Sequence, residues 1–148
     1  MNKRTLVIAA AAGAVLSAAA AGGAAWAHHA FAAEFDGKAP VLLRGKVTRV
    51  EWINPHAWVH IAVPGENGQT TAWMVEGGTP NTLLRAGIDR NSLKAGTEII
   101  VRGYQSKDKL CTPACKANGR DVTFPDGRKI FMGSSGTGAP KDGSDPTE

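Results

Sequence analysis

Hydrophobic and polar positions alternate in several short stretches of this 148-residue chain, and turn-forming residues separate the stretches. The clearest is "HAWVHIAV", in which every second residue is apolar, as in a strand with one buried face. Its apolar side carries Ala57, Val59, Ile61 and Val63, and its other side carries His56, Trp58 and His60. The pattern predicts a strand that turns two histidines and a tryptophan away from the core.

The preceding stretch, "PVLLRGKVTRVEWI" (residues 40–53), also predicts a strand, because β-branched and aromatic residues prefer sheets. Its apolar residues change parity halfway along, and one extra residue near Thr48-Arg49, a β-bulge, reconciles the two halves. Beyond "HAWVHIAV", the Asn-Gly pair in "GENGQ" predicts a hairpin turn, with "TTAWMVE" (residues 70–76) as the returning strand.

The hydrophobic period then changes to that of a helix. Thr79 is a suitable N-cap, Pro80 suits the first helical position, and Gly87 closes the short helix "NTLLRAG". Three more stretches predict strands: "TEIIVRGY" (residues 97–104), "GRDVTF" (119–124) and "RKIFM" (128–132), the last two joined by a Pro-Asp-Gly turn.

This order of elements predicts the fold class. Three strands, a short helix and then further strands are the order of a small OB-fold-like Greek-key barrel of five or six strands. A barrel with the same number of strands and another topology is the alternative. The predicted all-β domain spans residues 28–132, and residues 133–148, which have almost no apolar content, are expected to be a disordered tail.

The first 27 residues have the pattern of a secretory signal peptide. Lys3 and Arg4 precede a long Ala-rich apolar run, which ends in the small residues of "AWA". Cleavage is expected after Ala25 or Ala27, which places the mature protein in the periplasm or outside the cell. A membrane-spanning helix is the alternative, although the Ala/Gly-rich run is weakly hydrophobic.

Charge and cysteine content narrow the function classes. Two of the 17 Lys and Arg and none of the 13 Asp and Glu lie in the predicted signal, so the mature chain carries a net charge of only +2. Such a weak charge argues against a nucleic-acid partner.

The two cysteines, Cys111 and Cys115, are expected to form a disulfide in an oxidising compartment, with a metal dithiolate as the alternative.

Several motifs together resemble a known family. They are "HHAF" after the signal, "GKVTRVEWINPHAWVHI", "VEGGTPNTLLRAG", "SLKAGTEIIVRGY" and "PDGRKIFMGSSGTGAP". Over residues 28–140 the chain resembles the exported bacterial proteins grouped as domain of unknown function 6152, with the Asn54-Pro55-His56 segment as the most specific part. The resemblance implies a small exported β-domain and brings no activity. The "CTPAC" loop departs from the family pattern, so its role does not carry over.

The four histidines are the candidate metal ligands. Cleavage after Ala27 would make His28 a terminal residue, whose α-amine and imidazole can chelate one ion, preferably Cu(II). His56 and His60 are about 13 Å apart along a strand, too far to share an ion. We therefore expect a copper site formed by His28 and His29 with His56, and His60 on the surface.

A non-metal function is the rival hypothesis. Trp58, His60 and Trp52 would then present a strand face that binds a small ligand or another exported protein. Trp58 could equally cover one end of the barrel. Glu34, Asp36, Glu51 and Glu76 are interpreted as solvated charges, and no nucleophile or acid–base pair has a recognisable setting, so an enzyme is not predicted.

Overall fold

The computed structural model describes residues 31–133, which form six strands and one defined helix after a helical turn at residues 31–34. The elements are β1 (Phe35–Glu51), β2 (Trp58–Pro64), β3 (Thr70–Glu76), α1 (Pro80–Arg85), β4 (Glu98–Ser106), β5 (Cys115–Thr123) and β6 (Lys129–Phe131). Within residues 31–133, no helix has the length and apolar content needed to cross a membrane.

The strands close into a ring. β1 pairs with β2 on one side and β4 on the other, β2 pairs with β3, and β4 pairs with β5, all antiparallel. A parallel pairing of β3 with β5 completes the circle, and α1 lies between β3 and β4 in the chain. The prediction of an all-β chain with one short helix in this order is confirmed, and this is the strand order of an OB-like ring.

β1 has two neighbours along its length, since its first part, up to Lys46, pairs with β4 and its last part, from Lys46 to Glu51, pairs with β2. The pairing with β2 shifts between Val47 and Arg49, so the β-bulge predicted near Thr48 is present. At Gly45, β1 passes so close to β2 that an added Cβ would lie 2.4 Å from the Ala62 carbonyl oxygen. Glycine is therefore required where the strand crosses from one neighbour to the other.

The local signals around α1 act as predicted. The Thr79 hydroxyl accepts a hydrogen bond from the backbone N–H of Thr82, which is the N-cap interaction and contributes about 1 kcal/mol. Gly87 ends the helix with a positive φ of 88°. Leu83 is the buried residue of the helix, and it joins the main core inside the ring.

The ring interior is the main core. It contains Leu43, Val47, Ala57, Val59, Ile61, Val75, Leu83, Ile88, Leu93, Ile99, Val101, Ala117, Val122, Phe124 and Met132. Burial of each large aliphatic side chain contributes about 1.5–3 kcal/mol. The predicted facing of β2 is confirmed, since Ala57, Val59 and Ile61 are in this core and Val63 packs against it.

Two strands begin four or more residues before their predicted starts. β1 begins at Phe35 instead of Pro40, and β5 begins at Cys115 instead of Gly119. Both extra segments lack β-branched residues, and pairing with distant strands makes them extended. The predicted signal peptide and almost all of the predicted tail lie outside the described residues.

Candidate functional site

A row of side chains crosses the outer face of the ring. In register, Trp58 on β2 lies beside Glu76 on β3, Glu76 beside Asn118 on β5, and Asn118 beside Tyr104 on β4. Their chain neighbours Val59, Val75 and Ala117 are in the core, so alternation turns this row outward. We call Trp58, Glu76, Asn118 and Tyr104 the outer row.

His56 joins this row just before β2 begins. Backbone hydrogen bonds from Gly77 N–H to Ala57 O (2.8 Å) and from Ala57 N–H to Gly78 O (3.0 Å) extend the β2–β3 ladder past its last pair. The extension fixes His56 beside the end of β3, where its Nδ1 atom is hydrogen-bonded to Oε1 of Glu76. The imidazole is partly exposed, and Nε2 makes no hydrogen bond within residues 31–133.

Glu76 is a buried carboxyl. It is only 5 % exposed, and this burial is the main reason why its pKa is raised to about 7. The negative charge of Glu34 raises the pKa further, and the ammonium of Lys116 opposes both effects. A carboxyl with this pKa changes its ionisation near neutral pH.

Asn118 adds an unsatisfied acceptor to the same row. Its side chain is 2 % exposed, and Oδ1 has no hydrogen-bond partner in the described part of the chain. A buried carbonyl without a donor costs about 1–3 kcal/mol. Beside Glu76, this oxygen is a position where a donor from a ligand or from another chain segment would be stabilised.

The segment before β1 packs on the same face. Phe31 contacts Tyr104 edge-on at 5.7 Å between ring centroids and Phe35 at 5.8 Å, and the three rings form a second buried cluster. Glu34 Oε1 lies 3.6 Å from Nζ of Lys116, the outward-facing residue two positions before Asn118. The described chain therefore starts against the outer row. His28 and His29 lie outside the described residues.

His60 does not have the surface position expected for it. It is only 8 % exposed, and its Nε2 is 2.8 Å from Oε1 of Glu51, which also pairs with Arg49. The hydrogen bond with His60 is the largest influence on Glu51 and lowers the pKa of that carboxyl, with a further lowering by Arg49. The buried imidazole is thus held by an acidic partner and is not an open surface ligand.

The tryptophans separate into two environments. Trp58 is half-buried on the outer row, as predicted for the strand face. Trp52, expected on the same ligand-binding face, instead packs against the main core, with the Arg90 guanidinium 5.4 Å from its ring centroid. The structure brings His56, Trp58 and Glu76 together and leaves Trp52 elsewhere.

The two cysteines were the other candidate metal ligands. Cys111 and Cys115 form a disulfide, as predicted, so their sulfurs are not metal ligands. Within residues 31–133, no group of three or more His, Cys, Asp or Glu side chains is arranged to hold a metal ion.

Two members of the outer row, Glu76 and Asn118, were not predicted as site residues. Glu76 was interpreted as a solvated strand-end charge, whereas it is buried. The length of the hairpin turn could have predicted which residue Glu76 pairs with, because a five-residue loop from Gly65 to Gln69 places Trp58 opposite Glu76. Asn118 had no such signal, since its position depends on the parallel pairing of β3 with β5.

Comparison with known proteins identifies a family whose function is unknown. The model described as "Family of unknown function (DUF6152)" matches residues 14–113, about two thirds of the chain. No curated protein and no solved structure matches the chain.

Proposed function

Because the chain belongs to this family of unknown function, DUF6152, we propose a function from its own residues: it is a small exported domain that binds a transition metal, copper, through His56 together with His28 and His29. Export is proposed on the signal-like pattern of residues 1–27. Cleavage after Ala27 would give His28 a free α-amine, which completes a three-nitrogen donor set with two imidazoles.

The hydrogen bond between His56 and Glu76 is the observation that carries the proposal. Histidines that bind metals almost always have the second ring nitrogen held by a carboxylate or carbonyl. Here Glu76 occupies Nδ1, so Nε2 is the ring nitrogen that remains for a metal. A carboxyl that is only 5 % exposed contributes little to solubility. Holding His56 in one orientation is a role that Glu76 can have in this buried position.

The course of the chain gives a second line of support. Phe31 is held against Tyr104, whose strand neighbours along the outer row are Asn118 and Glu76. His29 is two residues from Phe31, so their Cα atoms are at most about 7 Å apart. The arrival of the chain on this face thus supports a meeting of the terminal histidines with His56.

Two measurements test the proposal. Mass spectrometry of the exported full-length product gives its first residue, and Cu(II) titration then compares the native protein with His28→Ala, His56→Ala and Glu76→Gln. We expect the histidine variants to lose at least tenfold in affinity, and Glu76→Gln to lose about tenfold because it only orients a ligand. His60→Gln, which changes the histidine bonded to Glu51, is the matched control and should bind like the native protein.

A terminus well beyond His29, or equal Cu(II) affinity in the native protein and both histidine variants, would reject the metal proposal. The second candidate, a small-ligand or protein-interaction module on the Trp58/His60 face, is favoured by the half-buried indole of Trp58 on the outer row. It predicts a change in tryptophan fluorescence on addition of a metabolite mixture in metal-free buffer, and loss of that change in Trp58→Phe.

A further inference from the structure

A groove opens where β1 separates from β2. The two strands pair as far as Lys46 and Ala62, and beyond that point β1 continues beside β4 only. The opening has a volume of about 720 Å³, within the range of small-molecule pockets, which is about 300–1,000 Å³. Gly45 is one of the residues that line it.

The walls of this groove are mainly apolar. Pro64 and Thr70, at the end of the β2–β3 hairpin, line one side. Ile100, Thr123 and Pro125, at the ends of β4 and β5, line the other. We call this feature the Arg44 groove, after the arginine in its lining.

Arg44 and Lys46 give the groove a positive rim, and the two charges differ in how they are compensated. Lys46 Nζ is 3.4 Å from Oε1 of Glu98, its cross-strand neighbour. Arg44 is exposed and directly opposite Ile100, and within residues 31–133 no hydrogen bond or ion pair engages its guanidinium. Of the charged residues that line the groove, Arg44 is thus the cation that no carboxylate within residues 31–133 compensates.

We propose that the Arg44 groove binds a small organic carboxylate with an apolar body. A guanidinium matches a carboxylate with two parallel hydrogen bonds, which an isolated arginine at a pocket edge can supply. The apolar body would lie between Pro64 and Ile100. Charge complementarity selects an anion, and the volume selects a ligand of small-metabolite size.

This site is separate from the proposed metal site. His56 precedes the first residue of β2, whereas Pro64 is its last, so the two sites are about 20 Å apart along the strand. The binding of a carboxylate here does not depend on the N-terminus or on copper.

The test uses the full exported chain in metal-free buffer, with 2-naphthoate as probe and 2-naphthamide as its neutral analogue. Isothermal titration should show that naphthoate binds at least tenfold more tightly than the amide. Arg44→Gln should remove that preference and Arg44→Lys should restore part of it. Arg85→Gln, an exposed arginine on α1, is the matched charge control and should bind like the native chain.

Thr123→Trp tests the pocket itself, because a large side chain on the β5 wall fills it. Naphthoate binding should be lost in this variant, while far-UV circular dichroism and the thermal transition show that it is folded. Amide chemical shifts should locate the naphthoate at Gly45 and Ile100. No naphthoate binding, equal binding of the amide, or unchanged binding in Arg44→Gln would each overturn the proposal.

Discussion

Two histidines, His56 just before β2 and His60 within it, each form a hydrogen bond with a glutamate. The two pairs differ in which partner is buried. In the first pair Glu76 is buried and His56 is partly exposed; in the second, His60 is buried and Glu51 is partly exposed. Burial raises the pKa of Glu76, whereas the hydrogen bond from His60 lowers the pKa of Glu51. The same two side-chain types therefore leave a partly exposed imidazole in one pair and a buried imidazole in the other.

The largest expected difference between the pairs is in the pH dependence of stability. The raised pKa of Glu76 means that the native protein holds this proton until about pH 7, while the unfolded chain releases it near pH 4.5. The carboxyl therefore stabilises the fold fully below pH 4.5, and this contribution is lost as the pH rises through 7. Compared with Glu76→Gln, the native protein should lose roughly 2–3 kcal/mol of unfolding free energy between pH 4.5 and 7.5.

Urea denaturation of the metal-free proteins at several pH values measures this difference. If the native protein instead gains stability over that range relative to Glu76→Gln, the hydrogen bond with His56 keeps the carboxylate ionised, and burial is not the dominant effect.

The second prediction compares removal of the two imidazoles. His60→Ala leaves a space beneath the outer face and removes the partner of Glu51, so we expect a loss of about 1–3 kcal/mol. His56→Ala removes the hydrogen-bond partner of the buried Glu76, so we also expect a loss of about 1–3 kcal/mol, and a larger loss at pH 8, where Glu76 is ionised, than at pH 5. Denaturant midpoints at pH 5 and pH 8 measure both variants, and a His56→Ala loss that is no larger at pH 8 would contradict the burial of Glu76.

The fold was predictable from sequence where local signals act, and the candidate site was predictable only in part. The Thr48 bulge, the Gly65–Gln69 turn and the Thr79 cap each depend on a few adjacent residues, and all three are present. His56 and Trp58 were assigned to the outer face correctly because strand alternation is also local.

The buried carboxyl was not predictable, because its environment comes from distant parts of the chain. Glu76 lies beside Asn118, 42 residues later, and its pKa depends on Glu34, 42 residues earlier. His60 was misplaced for a related reason. Its parity indicated the outward side, but pairing with β1 brings Glu51 across to bond with it.

The third prediction concerns the acidic side of the pH profile. Because the pKa of Glu51 is lowered in the folded protein, its contribution is present above the pKa of the unfolded chain and is lost as the pH falls through the folded value. Glu51→Gln should therefore reduce the slope of stability against pH below about pH 4.5 and leave the slope from pH 4.5 to 7.5 unchanged. Urea midpoints from pH 3 to 5 measure this slope. A changed slope near neutral pH in Glu51→Gln would contradict a lowered pKa of Glu51.

The fourth prediction has the smallest expected effect and concerns how two charged groups, Glu34 and Lys116, change the pKa of Glu76. Glu34→Gln should lower the pKa of Glu76, and Lys116→Met should raise it, because the two charges act in opposite directions. Both shifts should be fractions of a unit, since each charged group is about half exposed. NMR titration of the Glu76 side-chain carbon measures them, with Glu66→Gln as the control; shifts of the same sign would contradict the charge assignment.

The closure of the ring also determines how other molecules can approach this domain. β5 pairs first with β3 and then with β6, and Gly78 N–H bonds to Met132 O at 2.8 Å, so β6 occupies the position that β3 leaves. Among the six described strands, two short open edges therefore remain: the outer side of the three-residue β6, and the part of β1 before Lys46 that pairs with β4 only. Short open edges limit strand-to-strand aggregation and offer little length for recognition by strand addition.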